Sequence, residues 1–199
     1  MPAVTSEGVA GDATPGSGQR ADARRNRIKV LDAAREQFAA HGLEAQIDDV
    51  ARAAGVGVGT VYRHFPNKED LLRALGDGKF EGLAQAAVEA LEAEDPWTGL
   101  VEFMTYAARQ TSEDRSLSEA MEQHPGICGA AAEAAGLPEL TERVVKRAQA
   151  SGQLRPDIVA WDIPALVCGI GRAIRVEPGA PAMSWERYLE IILDGLRAS

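Results

Sequence analysis

The fold is decided by residues 47–65, which read IDDVARAAGVGVGTVYRHF. Apolar side chains recur there at helical steps of three and four, as Ile47, Val50, Ala51 and Ala54 before the central glycines and as Val58, Val61, Tyr62 and Phe65 after them. The segment Gly55-Val56-Gly57 interrupts this pattern. The stretch therefore predicts two short helices joined by a tight turn. This spacing alone leaves two interpretations open, a DNA-binding helix-turn-helix and an ordinary helical hairpin with a solvated polar face.

The polar side chains of the second short helix suit the major groove of DNA. If Val58, Val61 and Phe65 face inward, then Thr60, Arg63 and His64 point outward and Tyr62 lies at the boundary. An arginine can form bidentate hydrogen bonds to guanine, and a threonine offers its methyl group to thymine or its hydroxyl to phosphate. Tyr62 and His64 suit phosphate contacts. Lys68 would add a positive charge at the start of the next helix.

A longer helix is expected before this stretch. From about Asp22 to Ala40 an apolar stripe runs through Ile28, Leu31, Ala34 and Phe38, and His41-Gly42 is a typical helix end. Residues 1–21 are rich in Gly, Ala, Ser and Thr and poor in large apolar side chains, so we expect a disordered tail. The three predicted helices form a first domain over residues 22–66.

The remainder, residues 67–199, is predicted to be a larger helical domain. Pro66 ends the preceding helix, and Asn67 with Asp70 resembles a capping box that opens a new helix to about Ala93. Three interior glycines should make this connector soft. Five further helices are expected at about 95–110, 117–123, 138–151, 157–176 and 184–197, with Pro125-Gly126 as a break. The expected class is all-α, with about nine helices.

The net charge of −9 is unevenly distributed along the chain. Residues 20–68 carry nine Lys and Arg against six Asp and Glu, whereas residues 69–199 carry twelve against twenty-two. A basic first domain on an acidic body favours phosphate binding at one end, although charge asymmetry alone is weak evidence. No membrane span or signal peptide is recognised, so we expect a cytoplasmic protein without a membrane partner. Cys128 and Cys168 form no CxxC and are interpreted as small buried hydrophobes.

Residues 47–65, followed by Asn67-Lys68-Glu69-Asp70-Leu71-Leu72, resemble the DNA-binding signature of the tetracycline-repressor-like (TetR) family of regulators. The resemblance extends from about Arg25 to Leu72. It implies a DNA-binding site formed by Gln46, Gly57, Thr60, Tyr62, Arg63, His64, Lys68 and Arg25. Two positions depart from the family pattern, since Gln46 replaces a capping threonine and Gly57 replaces a serine or threonine. Both changes remove a hydroxyl that could contact phosphate.

The resemblance also implies dimerisation and small-molecule sensing by the C-terminal domain. The last two helices would form a four-helix bundle with those of a partner, through Leu166, Ile170, Ile174, Tyr188 and Ile192. The alternative is that the helix at 157–176 is a core helix of a single chain. Candidate ligand-binding residues are Trp97, Phe103, Met104, Tyr106, Met121, His124, Cys128, Trp161 and Arg172. Each of these could equally be an ordinary core or surface residue, and the ligand itself is expected to be largely apolar or aromatic.

Other classes of function are poorly supported. The sequence contains no HExxH, P-loop or GxSxG motif and no cluster of His and carboxylates at metal-ligand spacing, so we expect no enzyme, cofactor or metal site. An architectural or protein-binding helical bundle stays open as an alternative. The preferred hypothesis is a ligand-responsive repressor that binds a palindromic operator in double-stranded DNA as a homodimer.

Overall fold

A computed structural model describes residues 17–113, 118, 125–174 and 184–198. Within these residues the chain forms nine α-helices and no β-strand beyond one isolated bridge, which confirms the all-α class. In chain order they are α1 (Ser17–His41), α2 (Ile47–Ala54), α3 (Val58–His64), α4 (Lys68–Glu92), α5 (Pro96–Glu113), α6 (Pro125–Ala134), α7 (Leu137–Ala150), α8 (Asp162–Ala173) and α9 (Trp185–Leu196). One turn of 3-10 helix, Gly42–Glu44, follows α1.

The first four helices enclose an N-terminal core. Its most deeply buried side chains are Val30, Phe38, Val50, Val61, Phe65, Leu71 and Leu75. Since α2 and α3 have only eight and seven residues, neither would be stable alone, and the packing of their apolar faces on α1 holds them in place.

The remaining helices pack around α5 in a second core, the body core. Leu100 and Met104 of α5 are fully buried there, between side chains of α4, α7, α8 and α9. Helix α4 takes part in both cores, with Leu71 and Leu75 in the N-terminal core and Ala87 in the body core. A single helix of 25 residues, about 37 Å long, therefore runs through both cores.

Two features of α1 differ from the prediction. The helix begins at Ser17, five residues before the expected start, so that residues 17–21 are helical and not part of a tail. Residues 19–25 contain mainly Arg, Ala and Gln, which favour helix even where nothing is buried. Ile28, expected in the buried stripe, is 50% exposed, and Val30 takes the inward position. The rest of the predicted tail lies outside the described residues.

The second half contains a helix that the sequence analysis missed. Pro125 and Gly126 were expected to break the chain, but they open α6. Proline is tolerated in the first turn of a helix, where its missing N–H would have no intrahelical partner. The predicted helix at 117–123 lies outside the described residues apart from Ser118.

Helix α8 begins at Asp162, and not at Asp157 as expected. The preceding segment instead pairs with the C-terminus, where the Arg155 amide donates to the Leu196 carbonyl (3.1 Å) and the Ala198 amide donates to the Gln153 carbonyl (2.9 Å). The side chain of Arg155 strengthens this contact by donating to the Gly195 carbonyl. These bonds fix the end of α9 against the body.

The three glycines of α4 do not interrupt the helix. At Gly82 the absence of a side chain has a packing function, because an added Cβ would lie 2.6 Å from the hydroxyl of Tyr106 on α5. The close approach of α4 and α5 thus accounts for this glycine better than a need for flexibility. Within the described residues, none of the helices has the length and apolar character needed to cross a membrane.

Candidate functional site

The turn between α2 and α3 is closed by a glycine in a left-handed conformation. Gly55 has φ +65°, its amide donates to the Arg52 carbonyl, and the Val56 amide donates to the Ala51 carbonyl. This pair of bonds is the Schellman ending of a helix, which strongly favours glycine. The turn allows α3 to leave α2 at once and to pack across it.

Helix α3 presents one apolar and one polar face. Val61 and Phe65 are buried in the N-terminal core, whereas Tyr62 and Arg63 are exposed and Thr60 and His64 are half-buried. Val58 was expected to face inward, but it is 38% exposed in the first turn of α3.

Arg63 is available for an external ligand. It makes no hydrogen bond or ion pair with any other residue in the described part of the chain, and α3 carries no acidic residue. On the preceding helix α2, Asp49 is paired with Arg52 at 2.7 Å. The exposed face of α3 is therefore positively charged and polar, as an element that enters a DNA groove must be.

Further cations flank α3. The Lys68 ammonium lies 5.5 Å from the centre of the Phe38 ring, and the Arg27 guanidinium lies 5.1 Å from that of Phe65. Both contacts have cation–π geometry and hold positive charge beside the polar face. Arg27 could not be predicted from the sequence, because only the packed structure brings α1 to the end of α3. Arg25 is 65% exposed and pairs with Asp22.

The two atypical positions lack side-chain caps, as expected from the residues present. Gln46 precedes α2 but bonds the Glu44 carbonyl (2.8 Å) with its side chain, and Gly57 precedes α3. Asn67, in contrast, caps α4, since its Oδ1 accepts the Asp70 amide at 2.8 Å. This is one half of the predicted capping box; the Asp70 carboxylate pairs instead with Arg73.

The body contains a cavity of about 530 Å³ between α4, α5, α6, α7 and α8. We call it the body cavity. Its walls are mainly apolar, with Phe80, Leu83, Phe103, Ala107, Leu137 and Val167 among them. The size is within the usual range for small-molecule sites, about 300–1,000 Å³.

The candidate ligand residues are dispersed in the structure. Phe103, Cys128 and Trp161 line the body cavity, and Trp161 lies at its edge with 76% exposure. Met104 is fully buried in the body core, and Tyr106 contacts Gly82. Met121 and His124 lie outside the described residues. The other two candidates face elsewhere, Trp97 toward a groove between α5 and α9 and Arg172 toward the surface.

Several residues of the cavity were not selected from the sequence, above all Lys79 and Ser118. Lys79 lies beside Phe80 and four residues before Leu83, a spacing that places these side chains near one another on a helix. That spacing was the one available signal for Lys79. Nothing in the local sequence indicates that Ser118 would meet it.

The candidate dimer residues lie on α8, directly after it, and on α9. Leu166, Ile174, Tyr188 and Ile192 are half-buried, whereas Ile170 is 1% exposed and belongs to the body core. The exposed face of α8 consists mainly of small side chains, namely Ala165, Cys168, Gly169 and Ala173. The expectation that both cysteines are buried is thus wrong for Cys168, which is exposed, and Cys128 is half-buried. On α9, Ile191 is 52% exposed. These two helices thus keep an uncovered surface in the single chain.

Comparison with protein families gave two matches along the chain. Residues 30–75 match the model described as bacterial regulatory proteins, tetR family. Residues 95–198 match the model described as transcriptional regulator SbtR-like, C-terminal domain. Together the matches include the helix-turn-helix and the body from α5 onward.

Solved structures and curated proteins gave related results. A TetR transcription regulatory protein from Mycobacterium vanbaalenii is 35% identical, with 90% of this chain and 99% of that chain covered and a TM-score of 0.65. The TetR transcriptional regulator SCO0520 from Streptomyces coelicolor is 28% identical, with coverages of 87% and 99% and a TM-score of 0.66. The transcriptional repressor LfrR of Mycolicibacterium smegmatis is 44% identical over 78 residues, which are 39% of this chain and 39% of LfrR.

Proposed function

The chain belongs to the TetR family of DNA-binding transcriptional regulators, and we propose that it is a ligand-responsive repressor that binds a palindromic operator as a homodimer. The observation that carries the proposal is the exposed polar face of α3, with Arg63 free of intrachain partners among the described residues. The relative LfrR is named a transcriptional repressor, which supports repression as the proposed effect on transcription. A regulator of this kind acts on the chromosome, so we expect it in the cytoplasm.

In the proposed complex α3 lies in the major groove. Arg63 and Thr60 contact base edges, and Tyr62, His64 and Lys68 contact phosphates, with Gln46, Gly57 and Arg25 at the margin of the site. The cations that flank α3 make binding salt-sensitive, because each phosphate contact releases counterions. The net-acidic sequence after residue 68 discourages adhesion of DNA elsewhere.

The proposed dimer uses the uncovered faces of α8 and α9. The small side chains on α8 allow a partner helix to approach closely, and Ile191 with Leu166, Tyr188 and Ile192 adds apolar area. A two-fold axis here would give two α3 helices that can reach successive major grooves, about 34–36 Å apart. Gly169→Arg, in the middle of the α8 face, should give monomers in sedimentation experiments, and Ala150→Arg on the exposed side of α7 should not.

The proposed response passes through α4. This helix supplies side chains to both cores and to the wall of the body cavity, where Phe80 and Leu83 lie. A ligand that displaces α4 would therefore tilt the N-terminal helices. Since both copies of α3 must reach the DNA together, a small tilt is enough to weaken operator binding.

The test is to identify DNA bound by the protein across the genome of its source and then to titrate a labelled operator in fluorescence anisotropy. We expect specific binding that falls steeply with salt and a footprint with two equivalent half-sites. Binding that is equal for all sequences would instead support the alternative, an architectural helical bundle.

A further inference from the structure

We infer that the exposed first part of α1, residues 20–29, is a second DNA-contacting surface, which binds phosphates beside the major groove that α3 enters. We call it the basic arm. Arg24 and Arg27 are the residues assigned to phosphate. The inference rests on the proposed function and extends its interface beyond residues 30–75, the part that matches the tetR family model.

The first argument is the distribution of charge in the N-terminal half. Residues 30–75 carry five Lys and Arg against seven Asp and Glu, so the matched part is itself net acidic. Residues 20–29 carry five Lys and Arg against one acid, Asp22. The affinity for DNA that does not depend on sequence comes from neutralised phosphates. The positive charge that such binding needs therefore lies mostly in the basic arm.

The second argument is that burial does not account for the basic arm. Residues 20–29 are all exposed apart from the half-buried Asn26, and the buried side chains of the N-terminal core begin only at Val30. A helical stretch of this length is marginal in water when no packing supports it. The arm thus adds little to the stability of the fold, and its charged surface is open to a partner.

The third argument is the direction of two arginines. Arg24, Arg27, Leu31, Ala34 and Phe38 follow one another at alternating steps of three and four, so they share one face of α1. Ala34 and Phe38 are buried in the N-terminal core. The face that packs on the other helices therefore continues beyond the core as arginines.

The arginine face begins at the end of the recognition helix. The Arg27 guanidinium lies 5.1 Å from the centre of the ring of Phe65, the residue directly after α3. Arg24 lies about one helical turn, 5 Å, farther from the core. A duplex that receives α3 in its major groove would thus have its phosphate backbone beside this face, where arginine can bind it.

Arg24 is the side chain that allows the inference to be tested. It is exposed and makes no hydrogen bond or ion pair with any residue in the described part of the chain. Its neighbour Arg25 points to another side of the helix and pairs with Asp22. A change at Arg24 therefore alters the charge of the arm without breaking a contact within the fold.

The test measures the salt dependence of DNA binding by the full-length protein. The operator and a scrambled duplex are titrated in fluorescence anisotropy at several salt concentrations. Each phosphate contact contributes about 0.9 to the slope of log affinity against log salt concentration. Arg24→Met removes one contact in each of two DNA-binding domains, so the slope should fall by about 2. At about 0.1 M salt both duplexes should bind roughly 10- to 100-fold more weakly.

The matched control is Lys29→Met, which removes the same charge from the opposite side of the same helix. A helix is about 10–12 Å wide, and the Debye length at 0.1 M salt is about 10 Å, so Lys29 is largely screened from the phosphates. Its loss should change affinity by less than about twofold. Arg24→Lys keeps the charge and should retain most of the slope. Equal effects of Arg24→Met and Lys29→Met would overturn the inference.

Ethylation of single operator phosphates locates the contact. At least one phosphate in each half-site should block binding of the wild type when it is ethylated and should have no such effect on Arg24→Met. Lys29→Met should show the wild-type pattern. The same set of interfering phosphates in all three proteins would contradict a direct contact of Arg24.

The same measurements separate this inference from the proposed function. If the operator is bound specifically and Arg24→Met behaves as Lys29→Met does, the proposed function stands and the inference is wrong. If all duplexes bind alike and only Arg24→Met weakens them, the arm binds phosphate and operator recognition fails. If no duplex binds, both are wrong.

Discussion

The exposed Arg63 of α3 allows a sharp test of how the protein recognises DNA. In Arg63→Met the fold should be unchanged, because the side chain has no partner in the described part of the chain. We expect the free energy of unfolding to stay within about 0.5 kcal/mol of the wild type. A bidentate arginine–guanine contact contributes about 1–3 kcal/mol of discrimination. Two α3 helices on one operator then give about 2–6 kcal/mol, a loss of roughly 30-fold to more than 10⁴-fold in affinity.

The assay is fluorescence anisotropy with the operator and with a scrambled duplex of the same composition, each at several salt concentrations. Arg63→Met should weaken the operator far more than the scrambled duplex. Lys68→Met should weaken binding to both duplexes alike. It should also lower the slope of log affinity against log salt concentration by about 1 for each DNA-binding domain. Arg143→Met, a surface change on α7, is the control and should alter neither. An equal loss for both duplexes in Arg63→Met would refute the assignment of base recognition to Arg63.

Three further predictions concern the body. Gly99→Ala should destabilise the protein by about 2 kcal/mol or more in urea unfolding, because the new Cβ would meet the Ala90 carbonyl oxygen. Its control is Gly59→Ala, which adds a Cβ in open space and should be neutral or slightly stabilising. Arg147→Met should lower the free energy of unfolding by about 2–3 kcal/mol, since the Arg147 guanidinium donates to the Ala90 and Ala93 carbonyls at the end of α4. Its control is Arg143→Met, which should change the free energy of unfolding by less than about 0.5 kcal/mol. Hydrogen bonds from Thr98 and Gln153 hold the pKa of Asp95 below its ordinary value. The Asp95 carboxylate therefore contributes fully to stability above about pH 4, and this contribution is lost as the pH falls through the lower pKa of the folded state. Melting temperatures between pH 2 and 7 should therefore show the wild type and Asp95→Asn converging at low pH; a gap that stays constant would contradict this prediction.

The helix-turn-helix was readable from the sequence because local chemistry and long-range packing require the same residues there. Gly55 is needed for the left-handed turn, and Val61 and Phe65 are needed for the core, so each signal supports the other. Where only the helical spacing of apolar residues is present, the sequence predicts the wrong exposure. Val58 and Ile28 both have the right spacing for a core position, but they are 38% and 50% exposed in the fold.

The body cavity was less predictable because it depends on which faces of five helices meet. Phe103 and Trp161 were selected as large aromatic residues, a property that does not distinguish a wall from a core, and Met104 was selected on similar grounds but is fully buried. Lys79 and Ser118 are 39 positions apart, and nothing local relates them. Polar residues that meet across a fold leave no periodic signal, so the Lys79–Ser118 contact could not be predicted from the sequence.

The packing of α4 supports the proposed link between DNA recognition and ligand sensing. A connector that touched only one core could move without effect on the other part. Helix α4 instead buries Leu71 and Leu75 with α1 to α3, presents Lys79 and Phe80 to the body cavity, and buries Ala87 in the body core. Its far end is held by Arg147, which donates to the Ala90 and Ala93 carbonyls. The other end of α4 begins at Lys68, which lies beside Phe38 in the N-terminal core, so the proposed ligand response would pass along α4 to that end.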